Sequence, residues 1–335
     1  MQYRNLGNSN LKVSALCLGI MMFGDQTDRA MAARIVADAH ANGVNYIDTA
    51  DVYTNGASEV IVGELIKAQR HDWVLATKLG NAMSKRPNEG HYSRSWMLRE
   101  IDASLARLQT DYVDILYLHR DFNGMSLEEP LRALDAMLMA GKIRYWGVSN
   151  FRGWRIAELI RVAGQLGMPG PVVCQPYYNL LNRMPEVEVL PACAHYGIGV
   201  TPYSPIARGV LTGKYLPGQA AEADTRAGRG DKRILDTEFR PESLAIAQTL
   251  KAYIERKVEG NGINLAQFAC AWVLANRAVS SVIAGPRTLA QWQDYLPALD
   301  YAVTPEDEAL VDSLVKPGHP STPGYTDPAY PLPAR

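Results

Sequence analysis

Cysteine is scarce in this chain: Cys17, Cys174, Cys193 and Cys270 are the only four in 335 residues, and none forms a Cys-x-x-Cys pair or stands by a histidine at zinc-ligand spacing. A disulfide framework and a cysteine-based metal centre are therefore excluded as organising features. The four read as buried small hydrophobes, none in an electropositive, exposed stretch that would activate a thiol. Neither sign of charge dominates; the formal net charge is −1, which argues against nucleic acid or an anionic membrane as the main partner. No apolar run approaches the roughly 20 residues of a membrane span. Met1 to Ser14 lacks the basic flank and apolar core of a secretory signal, so the expected location is the cytoplasm. A Gly-x-Gly-x-x-Gly turn is missing too, which disfavours an open doubly wound dinucleotide fold.

What is there is a recurring strand-helix unit. A hairpin is expected within Tyr3 to Val13. Ala15 to Leu18 then leads to a helix over Asp28 to Asn42, capped by Asp28 and stopped by Asn42-Gly43. The pattern repeats as Tyr46 to Asp48 with Ser58 to Gln69, Trp73 to Lys78 with Ser95 to Leu108, and Val113 to His119 with Leu127 to Ala140. It continues as Tyr145 to Ser149 with Trp154 to Leu166, Val172 to Gln175 with Pro185 to Tyr196, Gly199 to Tyr203 with Asn264 to Asn276, and Ser281 to Ile283 with Thr288 to Leu296. The strands are short continuous apolar runs, as parallel strands buried on both faces require. Eight such units predict an α/β fold, a closed (β/α)8 TIM barrel with an N-terminal hairpin and extra helices, as one domain over 1–335. Outside the repeat fall a long loop at 205–240, a helix at Pro241 to Glu259, and a proline-rich tail at 316–335, expected to wander over the barrel mouth or stay mobile.

Barrels of this kind gather chemistry at the C-terminal ends of their strands. Those ends carry Asp48, Lys78, His119, Ser149, Gln175 and Tyr203, and Tyr53 follows Asp48 by five residues. Asp48 would keep Lys78 charged, and a buried ammonium beside Tyr53 would lower a phenol pKa from about 10. Tyr53 then serves as general acid while His119 orients a carbonyl oxygen. Singly, each has a plain alternative: Asp48 as a cap, Lys78 as a rim ion pair, His119 as a satisfied core histidine, Tyr203 as packing. Their occurrence together at successive strand ends favours a shared site.

In the settings Tyr-Ile-Asp-Thr-Ala-Asp-Val-Tyr, Ala-Thr-Lys and Tyr-Leu-His, the four residues Asp48, Tyr53, Lys78 and His119 resemble the catalytic tetrad of the aldo-keto reductases. Residues 141–151, 175–179 and 201–215 resemble further signatures of that superfamily, and the similarity runs from Tyr3 to about Asp312. The resemblance implies an NADP(H)-dependent reduction of an aldehyde or ketone, of sugar or xenobiotic type, with NAD(H) possible. It places the nicotinamide on Tyr203, its carboxamide on Ser149, Asn150 and Gln175, and further cofactor contacts on Ile20, Met21, Gln26 and Asp48. Pyrophosphate contacts fall on Ser204, Pro205, Ile206, Ala207 and Arg208, with Lys214 and Arg226 of the covering loop. The adenosine end falls on Gly285, Arg287, Gln291, Asp294 and Tyr295; the last two depart from the Glu-then-Asn pair common in the family.

Substrate contacts are expected from Met22, Phe23, Tyr53, His119 and Arg120. A small carbonyl or alcohol is thus the expected partner, with no nucleic acid, membrane or metal; the oligomeric state is not legible. Two alternatives stand beside this reading. One is a cofactor-binding regulatory subunit resembling the β subunits of potassium channels, which share Arg226 and its loop but lack a histidine at the position of His119. The other is a metal-dependent barrel hydrolase, for which a single strand-end histidine is a poor ligand set.

Overall fold

The computed structural model describes residues 1–122, 124–257 and 262–330. Two short antiparallel strands, β1 (Tyr3–Asn5) and β2 (Lys12–Ser14), form the expected hairpin. Eight parallel strands follow: β3 (Leu16–Gly19), β4 (Tyr46–Asp48), β5 (Val74–Leu79), β6 (Val113–Leu118), β7 (Ile143–Ser149), β8 (Val173–Gln175), β9 (Gly199–Val200) and β10 (Val282–Ala284). Their order is β10-β3-β4-β5-β6-β7-β8-β9. The ring closes where Ser280 N donates to Val200 O at 2.8 Å and Ile283 N donates to Pro202 O at 3.0 Å. This is a (β/α)8 barrel.

Helices follow each strand: α1 (Arg29–Ala41), α2 (Ala57–Ile66), α3 (Arg94–Leu108), α4 (Glu128–Met139), α5 (Gly153–Gln165) and α6 (Val189–Tyr196). After β9 the chain inserts α7 (Lys232–Thr237) and α8 (Pro241–Lys257) before α9 (Leu265–Ala275); α10 (Leu289–Gln293) and α11 (Pro305–Leu314) complete it. The caps follow the sequence: Asp28 accepts from Met31 N at 2.8 Å to start α1, and Asn264 with Gln267 forms a reciprocal capping box on α9. Among the described residues no helix is long and apolar enough to cross a membrane.

Side chains alternate along each strand, and this sorts two cores. Tyr46, Val74, Ala76, Ile115, Tyr117 and Val173 fill the barrel interior, where Leu6 and Val13 of the hairpin join them. The odd-even partners Ile47, Leu75, Leu116 and Cys174 face the helices. The hairpin therefore plugs one end, and the polar strand ends gather at the other.

Several boundaries differ from expectation for physical reasons. β9 is only two residues long because Pro202 offers no N–H, although Thr201 N to Cys174 O (2.9 Å) and Tyr203 N to Pro176 O (3.0 Å) carry the ladder to Tyr203. The 205–240 segment is not plain loop: it holds a distorted 3-10 stretch at Ala207–Thr212 and α7. The tail is tied down as far as Tyr330, where Ser321 N donates to Leu181 O at 2.8 Å and Arg183 N to His319 O at 3.0 Å. The expected last residues of the helix ending at Glu259 lie outside the described residues, as do Pro331 and Pro333.

Candidate active site

The alternation that builds the interior also fixes the site. Counting in twos from Tyr46 reaches Asp48; from Val74, Lys78; from Ile115, His119; from Tyr145, Ser149; from Val173, Gln175. Each is the last inward position of its strand or the residue just past it, so five polar groups converge at one end of the barrel.

Lys78 is wholly buried. Its Nζ donates to Asp48 Oδ1 and, at 2.7 Å, to the carbonyl of Thr49, while Gln175 Nε2 donates to Asp48 Oδ2 at 2.9 Å. The ammonium lies 4.9 Å from the centre of the Tyr53 ring. Burial disfavours its charge, but Asp48 and Tyr53 outweigh burial and hold the Lys78 pKa above its ordinary value. Tyr53 behaves differently from the expected depression. Burial raises its pKa by more than Lys78 lowers it, so the phenol rests in its protonated form.

The Tyr53 ring meets that of His119 edge-on, with centroids 5.8 Å apart. Burial, then the charges of Lys78 and Arg120, push the imidazole pKa well below its usual value, and the ring is neutral. His119 Nδ1 is buried with no hydrogen-bond partner among the described residues. The turn that presents Tyr53 is built from left-handed residues, Thr54 (φ 50°), Asn55 (φ 52°) and Gly56 (φ 89°). A Cβ on Gly56 would stand 2.7 Å from Cδ of Arg107, itself clamped by buried Glu59 (2.6 Å) and Glu100 (2.5 Å). Strain of this kind persists only where its surroundings enforce it.

Around these groups runs a cleft of about 430 Å³, within the range of cofactor and ligand sites. Of the sequence-derived set, Ile20, Met21, Met22, Gln26, Asp48, Tyr53, His119, Ser149, Asn150, Gln175 and Tyr203 line it. So do Ser204, Pro205, Ile206, Arg208, Lys214 and Arg226 of the segment after β9, and Gly285, Arg287, Gln291, Asp294 and Tyr295 around α10. Tyr203 is fixed by its hydroxyl, which donates to Asn150 Oδ1 at 2.8 Å; Asn150 Nδ2 donates to Ser149 Oγ at 2.9 Å.

Three expected contacts lie elsewhere. Phe23 and Ala207 are fully buried in packing and do not line the cleft. Arg120 does not line the cleft either; its Nη2 donates to the carbonyl of Ala329 at 2.8 Å. Arg208 does reach the cleft, and there it forms a buried ion pair with Glu238.

The structure also brings in residues that no motif in the sequence marks. Arg229 and Arg233 line the cleft; the cationic run Arg226 to Arg233 was their only signal. Tyr330 lines it too, and an aromatic within a proline-rich tail was a faint one.

At the far end, Arg287 Nη1 and Arg229 Nη2 each donate to Gln26 Oε1 at 3.1 Å. Burial and repulsion from Arg229 and Arg226 lower the Arg287 pKa. No carboxylate ion-pairs with Arg287 among the described residues, so an anion such as a phosphate suits this cluster, whose guanidinium is a planar donor fork.

The sequence of this protein is similar to three named relatives. It is 39% identical over 306 residues, 90% of this chain and 92% of the relative, to the "Probable voltage-gated potassium channel subunit beta" of Arabidopsis thaliana. To a protein so named in Oryza sativa subsp. japonica it is 37% identical, covering 94% and 97%. To the "Uncharacterized oxidoreductase YrpG" of Bacillus subtilis (strain 168) it is 34% identical, covering 98% and 99%. Residues 15–316 match the model of the Aldo/keto reductase family. With barrel, strand-end tetrad and match in accord, the chain belongs to the aldo/keto reductase family.

Proposed function

We propose that the protein is an oxidoreductase that reversibly reduces an aldehyde or ketone to the alcohol, using NADP(H), with Tyr53 as the proton donor. The observation that carries this reading is the buried line Gln175–Asp48–Lys78, which brings an ammonium to 4.9 Å from the centre of the Tyr53 ring, while His119 meets the same ring edge-on.

The cleft fits the cofactor along its length. The Tyr203 face can cover one side of a planar ring, and the Ser149 and Asn150 groups match a carboxamide's donors and acceptors. At the other end the Arg226, Arg229 and Arg287 cluster, with Lys214, suits phosphate charge. A bound nicotinamide supplies the hydride. Everything else belongs to the chain: His119, neutral, offers a ring N–H to orient the carbonyl oxygen, and the protonated Tyr53 hydroxyl delivers its proton to that oxygen. Negative charge then develops on the phenol, where Lys78 stabilises it in a site shielded from water. Asp48 is the partner that keeps Lys78 cationic rather than a proton carrier.

A second reading, a cofactor-binding regulatory subunit, is favoured by the names of the two plant relatives. The presence of His119 with Asp48, Tyr53 and Lys78 supports an enzyme instead. Oxidation of NADPH and NADH measured across aldehydes, ketones, quinones and sugars separates the two. Turnover of one carbonyl class, faster with NADPH, is expected; tight cofactor retention without turnover of any of them would favour the regulatory subunit.

A further inference from the structure

The proline-rich tail ends, within the described residues, on a tyrosine held between two cations. The Tyr330 ring centroid lies 5.0 Å from the Arg120 guanidinium and 5.8 Å from that of Arg233. Arg120 stands next to His119 at the end of β6. Arg233 belongs to α7, within the segment that covers the cleft. Arg233 grips Asp327 with both terminal nitrogens, Nη1 to Oδ1 at 2.6 Å and Nη2 to Oδ2. Asp327 Oδ1 also accepts from Ala329 N at 2.9 Å, and Tyr330 N donates to the Asp327 carbonyl at 3.0 Å. The turn that aims Tyr330 is thus folded on the carboxylate that Arg233 holds.

This ion pair is partly buried, with side-chain exposures of 28% and 14%. Its forked geometry makes it stronger than an ordinary surface pair. Just upstream, Tyr325 stacks 3.7 Å from the Arg240 guanidinium, so the tail runs fastened along the α7–α8 edge. Any outward movement of α7 must either break the Arg233–Asp327 pair or pull Tyr330 out of the cleft.

We infer that Tyr330 is a specificity-determining residue of the carbonyl pocket, positioned by Arg233 and Asp327, so that one ion pair fastens both the substrate mouth and the segment covering the cofactor. The specificity half of this rests on the oxidoreductase reading; the fastening half does not. Tyr330 lines the same cleft as Tyr53 and His119, and an aromatic wall there would exclude bulky carbonyls by shape. Coupling between the two segments needs a physical link with two arrangements, and a bidentate pair that is made or broken supplies it.

The test uses the full chain in two arms. In the first, kcat/KM is compared for a three-carbon aldehyde and a bulky aryl ketone. Tyr330→Ala is expected to shift the ratio toward the bulky ketone by about tenfold, Asp327→Asn to shift it in the same direction, and Asp327→Glu to restore it. In the second, backbone hydrogen exchange is followed without added cofactor. Asp327→Asn is expected to speed exchange by about tenfold in both 205–240 and 316–330, while Asp327→Glu does so far less. An unchanged ratio in Tyr330→Ala would overturn the specificity role, and faster exchange confined to the tail would overturn the coupling. If the wild-type protein turns over no carbonyl, the oxidoreductase reading fails and with it the specificity role, while the exchange arm still decides the fastening.

Discussion

Lys78 shows how a single residue can be legible in the sequence and still behave in a way that only its surroundings explain. A lysine ending an apolar run is unusual, and the count in twos from Val74 places it inside the barrel. The structure adds that its cation is satisfied by Asp48 and by the carbonyl of Thr49. Removing one member of such a pair leaves the other buried and uncompensated. Lys78→Met should therefore destabilise the fold by about 3–5 kcal/mol, read from denaturant midpoints, and abolish turnover. The double variant Asp48→Asn/Lys78→Met should recover much of the stability and none of the activity. Equal destabilisation in single and double variants would mean that the pair is not the link between them. Tyr53 marks the opposite case. Its place beside the strand ends is legible in the sequence, whereas the sign of its pKa shift depends on how far burial outweighs one nearby charge, and no spacing in the sequence reports that balance.

At the scale of elements, α11 was not anticipated. Its start, Thr304-Pro305-Glu306-Asp307, is a capping box with proline at the first turn, a local signal that stands beyond the eight strand-helix units. Asp307 docks the helix: its Oδ1 accepts from Lys257 Nζ at 2.6 Å and Tyr253 Oη at 2.9 Å, and its Oδ2 from Tyr301 Oη at 2.9 Å. Burial alone would raise the Asp307 pKa, but Lys257 and the hydroxyls outweigh it and draw it down to about 2 from an ordinary 3.8. A carboxyl more acidic in the native state than in the unfolded chain adds stability that is complete above its unfolded pKa and is lost as pH falls through the folded one. Asp307→Asn should thus cost about 2 kcal/mol at neutral pH. Denaturation midpoints from pH 7 to 2 should converge with the wild type as pH drops below about 4 toward 2. A gap that persists undiminished at pH 2 would assign the effect to hydrogen-bond geometry rather than to charge.

The molecule as a whole is a barrel plugged at one end by a hairpin and covered at the other by segments distant in sequence. The barrel and its strand ends could be read because alternation is local: each strand carries its own parity, and six polar termini in succession stand out from apolar runs. The cover could not, because nothing local joins Arg229 to Gln26, Arg233 to Asp327 or Arg120 to Ala329, pairs that the fold brings together across 203, 94 and 209 residues. Arg287 lay between these cases, legible as a cation near the start of the last barrel helix but not as part of a cluster. On the proposed function, that cluster is the part of the site that would select between NADPH and NADH. Arg287→Leu should weaken NADPH binding by about ten- to a hundredfold and leave NADH binding within about threefold, measured by fluorescence titration. Equal losses for both would remove the phosphate from the Arg287 site.

The proposed function turns on the proton it assigns to Tyr53. Tyr53→Phe keeps the ring that packs on His119 and Lys78 and deletes one hydroxyl. The decisive measurement is single-turnover NADPH oxidation by this variant with whichever carbonyl the wild type reduces, alongside cofactor titration. The account predicts a rate lower by about a hundred- to ten-thousandfold, the span of a lost general acid, with the cofactor Kd unchanged. Turnover within a few-fold of wild type would contradict it and move the proton donor elsewhere in the cleft.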